Sequence, residues 1–174
     1  MPPRPSTIET PRLRLVTLLI DEVQALVAED SARAGRLADL VFPEHWPLEP
    51  DARDGLPWHL THLRRHEAQR AWRIRAVARR EDGFVVGSVG LKGPPDAYGT
   101  VEIGWSINPS CRRRGFGLEA ALGLTAWVRA QPAAYWLIAT IADENAASRA
   151  VAARLGLQRT RDTRCDLPLW RGRL

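Results

Sequence analysis

Three strand-like segments lie close together in the middle of this chain, and their spacing restricts the fold more than any other feature. The segments are RIRAVAR (73–79), GFVVGSVGLK (83–92) and GTVEIGWSI (99–107). Their spacers, REDG and GPPDAY, are short and rich in turn-forming residues. Strands joined by such turns pair in antiparallel order, so the sequence predicts a three-stranded meander.

The segments before the meander predict a strand, a helix, a long loop and a second helix. Residues 12–18 alternate polar and apolar side chains as a half-buried strand does, and residues 20–30 carry apolar side chains at helical spacing. Residues 41–57 contain four prolines and one glycine, which predict a long loop. Residues 58–72 form a weakly amphipathic helical pattern.

The segments after the meander complete the order of elements. Residues 118–128 show a helical apolar face, 134–141 are an apolar run of strand length, and 145–156 are helical with Gly156 at the expected end. Residues 157–174 predict two final strands. The sequence therefore predicts one α/β domain over residues 1–174, of mixed α+β character. Its central mixed sheet is mostly antiparallel, with about seven strands flanked by about four helices.

The charge of the chain favours an anionic partner. Lys92 is the only lysine among the 25 basic residues, and the net charge is +5. No helix-turn-helix, zinc-finger or RNP signature accompanies this charge, so we expect a phosphorylated small molecule rather than nucleic acid. No run of 18 apolar residues predicts a membrane span. Cys111 and Cys165 lack metal-ligand spacing, and two cysteines without a disulfide framework fit a cytoplasmic protein.

The segment CRRRGFGLEA (111–120) predicts a phosphate-binding loop between a strand and a helix. The first turn of a helix has unpaired N–H groups, Gly115 and Gly117 allow close approach of the main chain, and arginines add charge-assisted bonds. GFGLEA also matches the dinucleotide fingerprint G-x-G-x-x-A, with Asp143 or Glu144 as a ribose-binding carboxylate. About 30 residues follow Glu144, too few for the second half of that fold.

The same loop resembles the acetyl-CoA loop of the GNAT superfamily of N-acetyltransferases. Arg112, Gly115 and Gly117 fill its pattern [R/Q]-x-x-G-x-[G/A]. The segments EIGWSINPSCRRRGFGLEA, NAASRAVAARLGL, IETPRLRLVTL and HWPLEP resemble, in the right order, the branch that contains ribosomal-protein N-terminal (alanine/serine) acetyltransferases. Leu157 stands where that branch usually has phenylalanine. The resemblance covers nearly the whole chain.

The resemblance implies how a cofactor binds. The sheet splays between the fourth and fifth predicted strands, main-chain groups of the fourth strand bind the pantetheine arm, and the loop binds the pyrophosphate. Acetyl-CoA is the implied cosubstrate, with no metal. The implied cofactor-binding residues are Trp105, Ser106, Ile107, Arg112, Arg113, Arg114, Gly115, Phe116, Gly117, Leu118, Asn145 and Ser148.

The resemblance also implies direct transfer from the thioester to a neutral amine. Glu102 is the first choice for the general base, although a cross-strand salt bridge would explain it equally well. Ser148 is placed near the thiol and is the candidate acid, because Ala152 occupies the position where many of these enzymes have tyrosine. Asn145 and Ser148 have an alternative structural role in capping a helix. His45 and Trp46 are expected to line the acceptor pocket.

These residues predict an N-acetyltransferase that acts on a primary amine, either a peptide or protein N-terminus or a small molecule. Two alternatives stay open at this point, namely a non-catalytic acyl-CoA-binding module and a nucleotide-dependent oxidoreductase. A longer acyl donor and a homodimer also stay open. His62 and His66 share a helix face but have no evident third ligand, so no metal site is expected.

Overall fold

The strands of the protein form a single sheet. The computed structural model describes residue 5 and residues 7–174, so the first residues of the domain predicted over 1–174 lie outside the described part. Within that part the sheet has eight strands in the order β1-β2-β3-β4-β5-β6-β8-β7, and only β5 and β6 are parallel neighbours. The strands are β1 Ile8–Glu9, β2 Leu13–Thr17, β3 Arg75–Arg79, β4 Val85–Leu91, β5 Thr100–Ile107, β6 Trp136–Thr140, β7 Gln158–Arg164 and β8 Leu167–Arg173.

Helices cover both faces of this sheet. The α-helices in the described residues are α1 Ile20–Val27, α2 Ser31–Ala38, α3 Pro50–Asp54, α4 Leu56–Arg65, α5 Phe116–Arg129 and α6 Ala146–Arg154. One apolar core joins α5 and α6 to the sheet, and a second core joins α1, α2 and α4 to the opposite face. Strand side chains alternate between the two cores, as the pleat requires.

The predicted meander is confirmed, since β3, β4 and β5 pair in antiparallel order. The helix counts differ from the prediction. Residues 41–57, predicted as a loop, contain α3 and the start of α4. The predicted helix over 58–72 ends at Arg65 and continues as a 3₁₀ helix over Glu67–Trp72. Residues 31–38, which the prediction left without an element, form α2.

The sheet opens between β5 and β6, the fourth and fifth strands of the prediction. These strands pair only at Thr100, Val101 and Glu102 of β5. Beyond Glu102, β5 stays paired with β4 as far as Ile107, but its other edge has no strand partner among the described residues. The predicted splay is therefore present, and it exposes main-chain groups of β5 to the space between the strands.

Candidate active site

A cavity of about 930 Å³ occupies the opening between the strands. Its walls come from β4, β5, the starts of α5 and α6, and residues 52–59 around α3 and α4. Its volume lies in the range typical of ligand sites. The structure brings most of the predicted site residues into this cavity, namely Glu102, Trp105, Ser106, Ile107, Arg112, Arg113, Gly115, Phe116, Gly117, Leu118, Asn145 and Ser148.

The start of α5 is suited to bind an anion. Gly115, the residue before the helix, has left-handed backbone angles (φ 79°, ψ 0°), and no side chain caps the helix. The N–H groups of the first turn are therefore left for another acceptor. Arg113 also has a positive φ of 61°. Exposed arginines and uncapped N–H groups together favour phosphate oxygens at this end of the cavity.

The side chain of Arg112 is directed elsewhere. Its Nε donates to the Ile107 carbonyl oxygen at 3.0 Å, and its Nη2 lies 2.7 Å from Oε1 of Glu49. Its main-chain N–H donates to Pro109. Arg112 thus links the loop before α3 to the loop that precedes α5.

The turn between β1 and β2 holds the loop that precedes α5 in place. Arg12 donates from Nε to Glu119 of α5 at 2.7 Å and from Nη1 to the Arg114 carbonyl at 3.0 Å, and its guanidinium lies over the Phe116 ring. Thr10 Oγ1 donates to Glu119 at 2.6 Å. Burial alone would raise the pKa of Glu119, but the bonds from Thr10 and Arg12 outweigh it and lower the pKa. Arg114 does not line the cavity.

Strand alternation decides which main-chain groups of β5 face the opening. Lys92 N–H donates to the Glu102 carbonyl, and Asn108 N–H donates to Val86. The even-numbered residues of β5 therefore use their main-chain groups to pair with β4, and Ser106 is one of them. Trp105 and Ile107 direct theirs towards the opening. Because the Ile107 carbonyl accepts from Arg112, the groups of Trp105 remain for a ligand.

Glu102 lies on the floor of the cavity where β5 and β6 part. Its side chain is 12% exposed, and its Oε2 lies 3.3 Å from Nε of Arg164 on β7. Its Oε1 accepts from Thr140 Oγ1 of β6 at 3.5 Å. The structure thus contains the predicted salt bridge, and Glu102 also lines the cavity, so the two interpretations of Glu102 do not exclude each other.

Asn145 and Ser148 lie where α6 meets the cavity. The Asn145 side chain caps the helix by accepting the Ser148 N–H at 3.0 Å. Both residues also line the cavity, so the capping role does not exclude ligand contact. Ala152 is fully buried one turn further on, and no tyrosine lines the cavity among the described residues.

His45 and Trp46, predicted to line the acceptor pocket, are not brought into the cavity. Trp46 is 2% exposed and packs its ring against Phe42 at a centroid distance of 5.0 Å, within the core beneath α1, α2 and α4. His45 is exposed, with its ring near Glu29 and Glu44. A large apolar ring in a proline-rich segment is stabilised by burial, which the sequence pattern did not distinguish from ligand contact.

The cavity is also lined by His59 of α4 and by Lys92, the residue after β4, which sequence reasoning did not select. Burial, followed by the positive charges of Lys92, Arg73 and His62, lowers the pKa of His59 to about 3. The ring is therefore neutral near pH 7. Since the unfolded chain protonates this histidine near 6.5, the free energy of unfolding falls as the pH drops from about 6.5 towards 3. The sequence signal that could have pointed to this part of the cavity is that Lys92 is the only lysine of the chain.

Neither a metal cluster nor a membrane span is found in the part of the chain that the structure describes. There, no three His, Cys, Asp or Glu side chains are grouped so that they could hold a metal ion. No described helix is both long and apolar enough to cross a bilayer.

A family model and a curated relative both match most of the chain. Residues 12–158 match the family model described as acetyltransferase (GNAT) domain. The uncharacterized N-acetyltransferase YjdG of Bacillus subtilis (strain 168) is 28% identical over 149 residues, which cover 86% of this chain and 88% of that protein.

Solved structures share the fold. Mycobacterium smegmatis RimJ in complex with CoA-disulfide superposes with a TM-score of 0.64 at 19% identity, covering 97% of this chain and 88% of that one. RimL, a ribosomal L7/L12 alpha-N-protein acetyltransferase solved with coenzyme A, gives 0.63 at 14% identity, covering 97% and 98%. The family match over most of the chain, with the splayed strands and the uncapped loop of α5, overturns the oxidoreductase alternative: the chain belongs to the GNAT acetyltransferase family.

Proposed function

We propose that this protein transfers the acetyl group of acetyl-CoA directly to a primary amine, and that Glu102 accepts the proton the amine loses. The observation that carries this proposal is a single continuous cavity. It joins the uncapped start of α5 to the Glu102 carboxylate at the point where β5 and β6 separate. A cofactor bound along that path and an amine beside Glu102 would meet in one space.

The residues present fit the phosphorylated end of acetyl-CoA. The first turn of α5 has no side-chain cap, and Gly115 and Gly117 keep the main chain accessible beside Arg113. A Cβ added at Gly117 would lie only 3.3 Å from the Ile107 side chain, so this position favours glycine. When bound, acetyl-CoA supplies the activated acetyl group.

The roles of the remaining residues follow from their positions. The Trp105 main chain, turned towards the opening, would bind the pantetheine arm, and its N–H is suited to polarise a carbonyl oxygen. Ser148 would place a hydroxyl near the departing sulfur, and Asn145 would orient the start of α6. Arg164 and Thr140 hold Glu102 in the orientation needed to receive a proton.

The acceptor would enter beside α3 and α4, where Ala52, Gly55 and His59 line the cavity. Both a free amine and the N-terminus of a protein fit this description. RimL acts on a ribosomal protein N-terminus, so peptide N-termini belong in the first substrate panel. We further infer a cytoplasmic location, which is supported by the free cysteines Cys111 and Cys165, the second of them exposed.

The test compares wild-type protein with Glu102→Gln in a thiol-release assay with acetyl-CoA and a panel of amines and peptides. Loss of a general base lowers kcat by about 10²- to 10⁴-fold, whereas calorimetric binding of acetyl-CoA should change little because Glu102 lies away from α5. Thr140→Val is the matched control, because it removes a bond to Glu102 but leaves the carboxylate in place. Equal kcat in wild type and Glu102→Gln would refute the role of Glu102. Absence of acetyl-CoA binding to the wild type would refute the proposal as a whole.

A further inference from the structure

The cavity wall beside Glu102 carries positive charge that no described carboxylate neutralises in an ion pair. His59 and Lys92 line the cavity, and Arg73 lies buried behind them at 3% exposure. Arg73 uses its guanidinium on neutral groups, donating to the Lys92 carbonyl and to Gln69 Oε1. Neither Lys92 nor Arg73 forms an ion pair with a described side chain.

An aromatic ring offsets part of this charge. The Lys92 ammonium lies 5.2 Å from the centre of the Trp58 ring, and the Arg73 guanidinium lies 5.6 Å from it. Two cations over one indole are attracted to its π-electrons but are not neutralised by them. The Nδ1 atom of His59, next to Trp58, is buried and has no hydrogen-bond partner. Buried polar groups in proteins are normally paired, so the unpaired Nδ1 of His59, on a residue that lines the cavity beside the exposed Lys92, indicates a missing partner.

The nearest cavity carboxylate is already engaged. Glu102 faces Lys92 across the β4–β5 ladder, and the Lys92 N–H donates to the Glu102 carbonyl. Its carboxylate oxygens, however, contact Arg164 and Thr140 rather than Lys92. Positive charge on β4 thus lies beside the site proposed for amine deprotonation. Side chains across such a ladder are about 5 Å apart at Cβ, so one small molecule can reach both.

We propose that His59 and Lys92, with Arg73 behind them, bind a carboxylate of the acceptor, so that the preferred substrates are amines with an acidic group a few bonds away. This inference rests on the proposed acetyl transfer. Two sources provide the same chemistry, namely the α-carboxylate of a free amino acid and the side-chain carboxylate of an acidic residue near a peptide N-terminus. In both, the carboxylate contacts Lys92 while the amine lies beside Glu102.

The experiment compares kcat/KM for matched substrate pairs that differ only in one charge. Free amino acids are paired with their amides, and short peptides with glutamate in the second position are paired with the glutamine forms. The acidic member should react at least about tenfold faster in kcat/KM, the scale of one charge-assisted hydrogen bond. Whichever pair shows the preference identifies the source of the carboxylate. Equal use of both members in every pair would overturn the inference while leaving acetyl transfer intact.

Variants test whether Lys92 is responsible. In Lys92→Met the acidic-to-neutral ratio should fall towards one, and in Lys92→Arg it should largely be retained. Arg129→Met is the matched control, because it removes one positive charge from an exposed site at the far end of α5. A similar loss of preference in Arg129→Met would show a general charge effect and overturn the assignment to Lys92.

A binding measurement separates this inference from turnover. Calorimetry with an N-acetylated acidic amino acid or peptide, and with its amide, should show tighter binding of the acid to wild type and no such difference in Lys92→Met. Preferential binding without turnover would refute the proposed function alone, whereas turnover without preference would refute the inference alone.

Discussion

Two glycines that face each other across β4 and β5 should respond in opposite ways to an added methyl group. Gly104 of β5 pairs with Gly90 of β4. A Cβ built on Gly104 meets no atom within 4 Å, because the position faces the open cavity. A Cβ built on Gly90 lies 3.0 Å from the Cα of Ile74 and 3.2 Å from the Arg73 carbonyl oxygen, so the backbone there must shift.

The expected changes in the free energy of unfolding follow from these distances. Gly104→Ala needs no rearrangement and removes the entropic cost of a glycine in a strand, so the free energy of unfolding should stay constant or rise by about 0.5–1 kcal/mol. Gly90→Ala forces a close contact with backbone atoms and should lose about 1–3 kcal/mol. Gly104→Val should fold as well as wild type, but its side chain occupies the space between Glu102 and Ser106. Overpacking of the ligand site should weaken the binding of ligand by about 1–3 kcal/mol, so kcat/KM should fall about 5- to 150-fold.

Urea unfolding and thiol release measure the two effects separately. We expect the stability of Gly104→Val to equal or exceed that of wild type while its turnover falls, and the stability of Gly90→Ala to fall. Wild-type turnover in a well-folded Gly104→Val protein would show that the reaction does not use this cavity. A loss of stability in Gly104→Ala as large as that in Gly90→Ala would refute the steric argument itself.

Further predictions concern the charged and polar residues around the cavity. As the pH falls from 7.5 to 5, the free energy of unfolding of the wild type should fall by about 2 kcal/mol because of His59, whose pKa is about 3 in the folded and 6.5 in the unfolded chain. Urea unfolding at the two pH values should show this loss in wild type but not in His59→Gln. Glu119→Gln should lower stability at pH 7 by about 1–2 kcal/mol by weakening the bonds from Thr10 and Arg12. Because folding lowers the pKa of Glu119, the stability difference between wild type and Glu119→Gln should shrink as the pH falls below about 4. Acetyl-CoA binding to Glu119→Gln, measured by calorimetry, should be weaker than binding to wild type. Ser148→Ala should lower kcat more than KM if its hydroxyl protonates the sulfur, as steady-state kinetics would show.

The elements that sequence predicted correctly have strong local signals. The meander was predictable because short turn-forming spacers leave its strands no other way to pair. The loop before α5 was predictable because Gly115 adopts left-handed backbone angles and the following helix has a clear apolar face. Both signals depend on neighbouring residues and need no knowledge of distant contacts.

The missed elements depend on tertiary contacts. Helix α2, SARAGRLA, has few large apolar side chains, and it is stabilised by the Asp30 cap on Arg33 N–H and by the burial of Ala34 and Ala38. The Asp30 cap was a usable signal, but alanines reveal little about which face is buried. Likewise, α4 has two plausible faces in sequence. Only the packed structure shows that His59 faces the cavity.

Most residues predicted for the cofactor side line one cavity, whereas His45 and Trp46, predicted for the acceptor side, do not, and this difference has a physical reason. Phosphate binding uses main-chain N–H groups at a helix start, so it leaves a glycine pattern that can be recognised within a few residues. The acceptor site that we propose uses His59 of α4 and Lys92, the residue after β4, which lie more than 30 residues apart in the chain. Nothing in either segment alone indicates that His59 and Lys92 share a wall, so their chemistry becomes visible only when the strands are assembled.

The positive wall also bears on how an amine becomes neutral before it attacks. An exposed positive charge about 5 Å from the amine is screened by water and disfavours the ammonium ion by about 1 kcal/mol, and the buried Arg73 acts in the same direction. Lys92 and Arg73 would therefore disfavour the ammonium form while holding the acceptor by its carboxylate. Glu102, already paired with Arg164, then needs to accept a proton only from an amine whose basicity the site has lowered. On the proposed mechanism, this division of work between Lys92 and Glu102 would allow a salt-bridged carboxylate to serve as the proton acceptor.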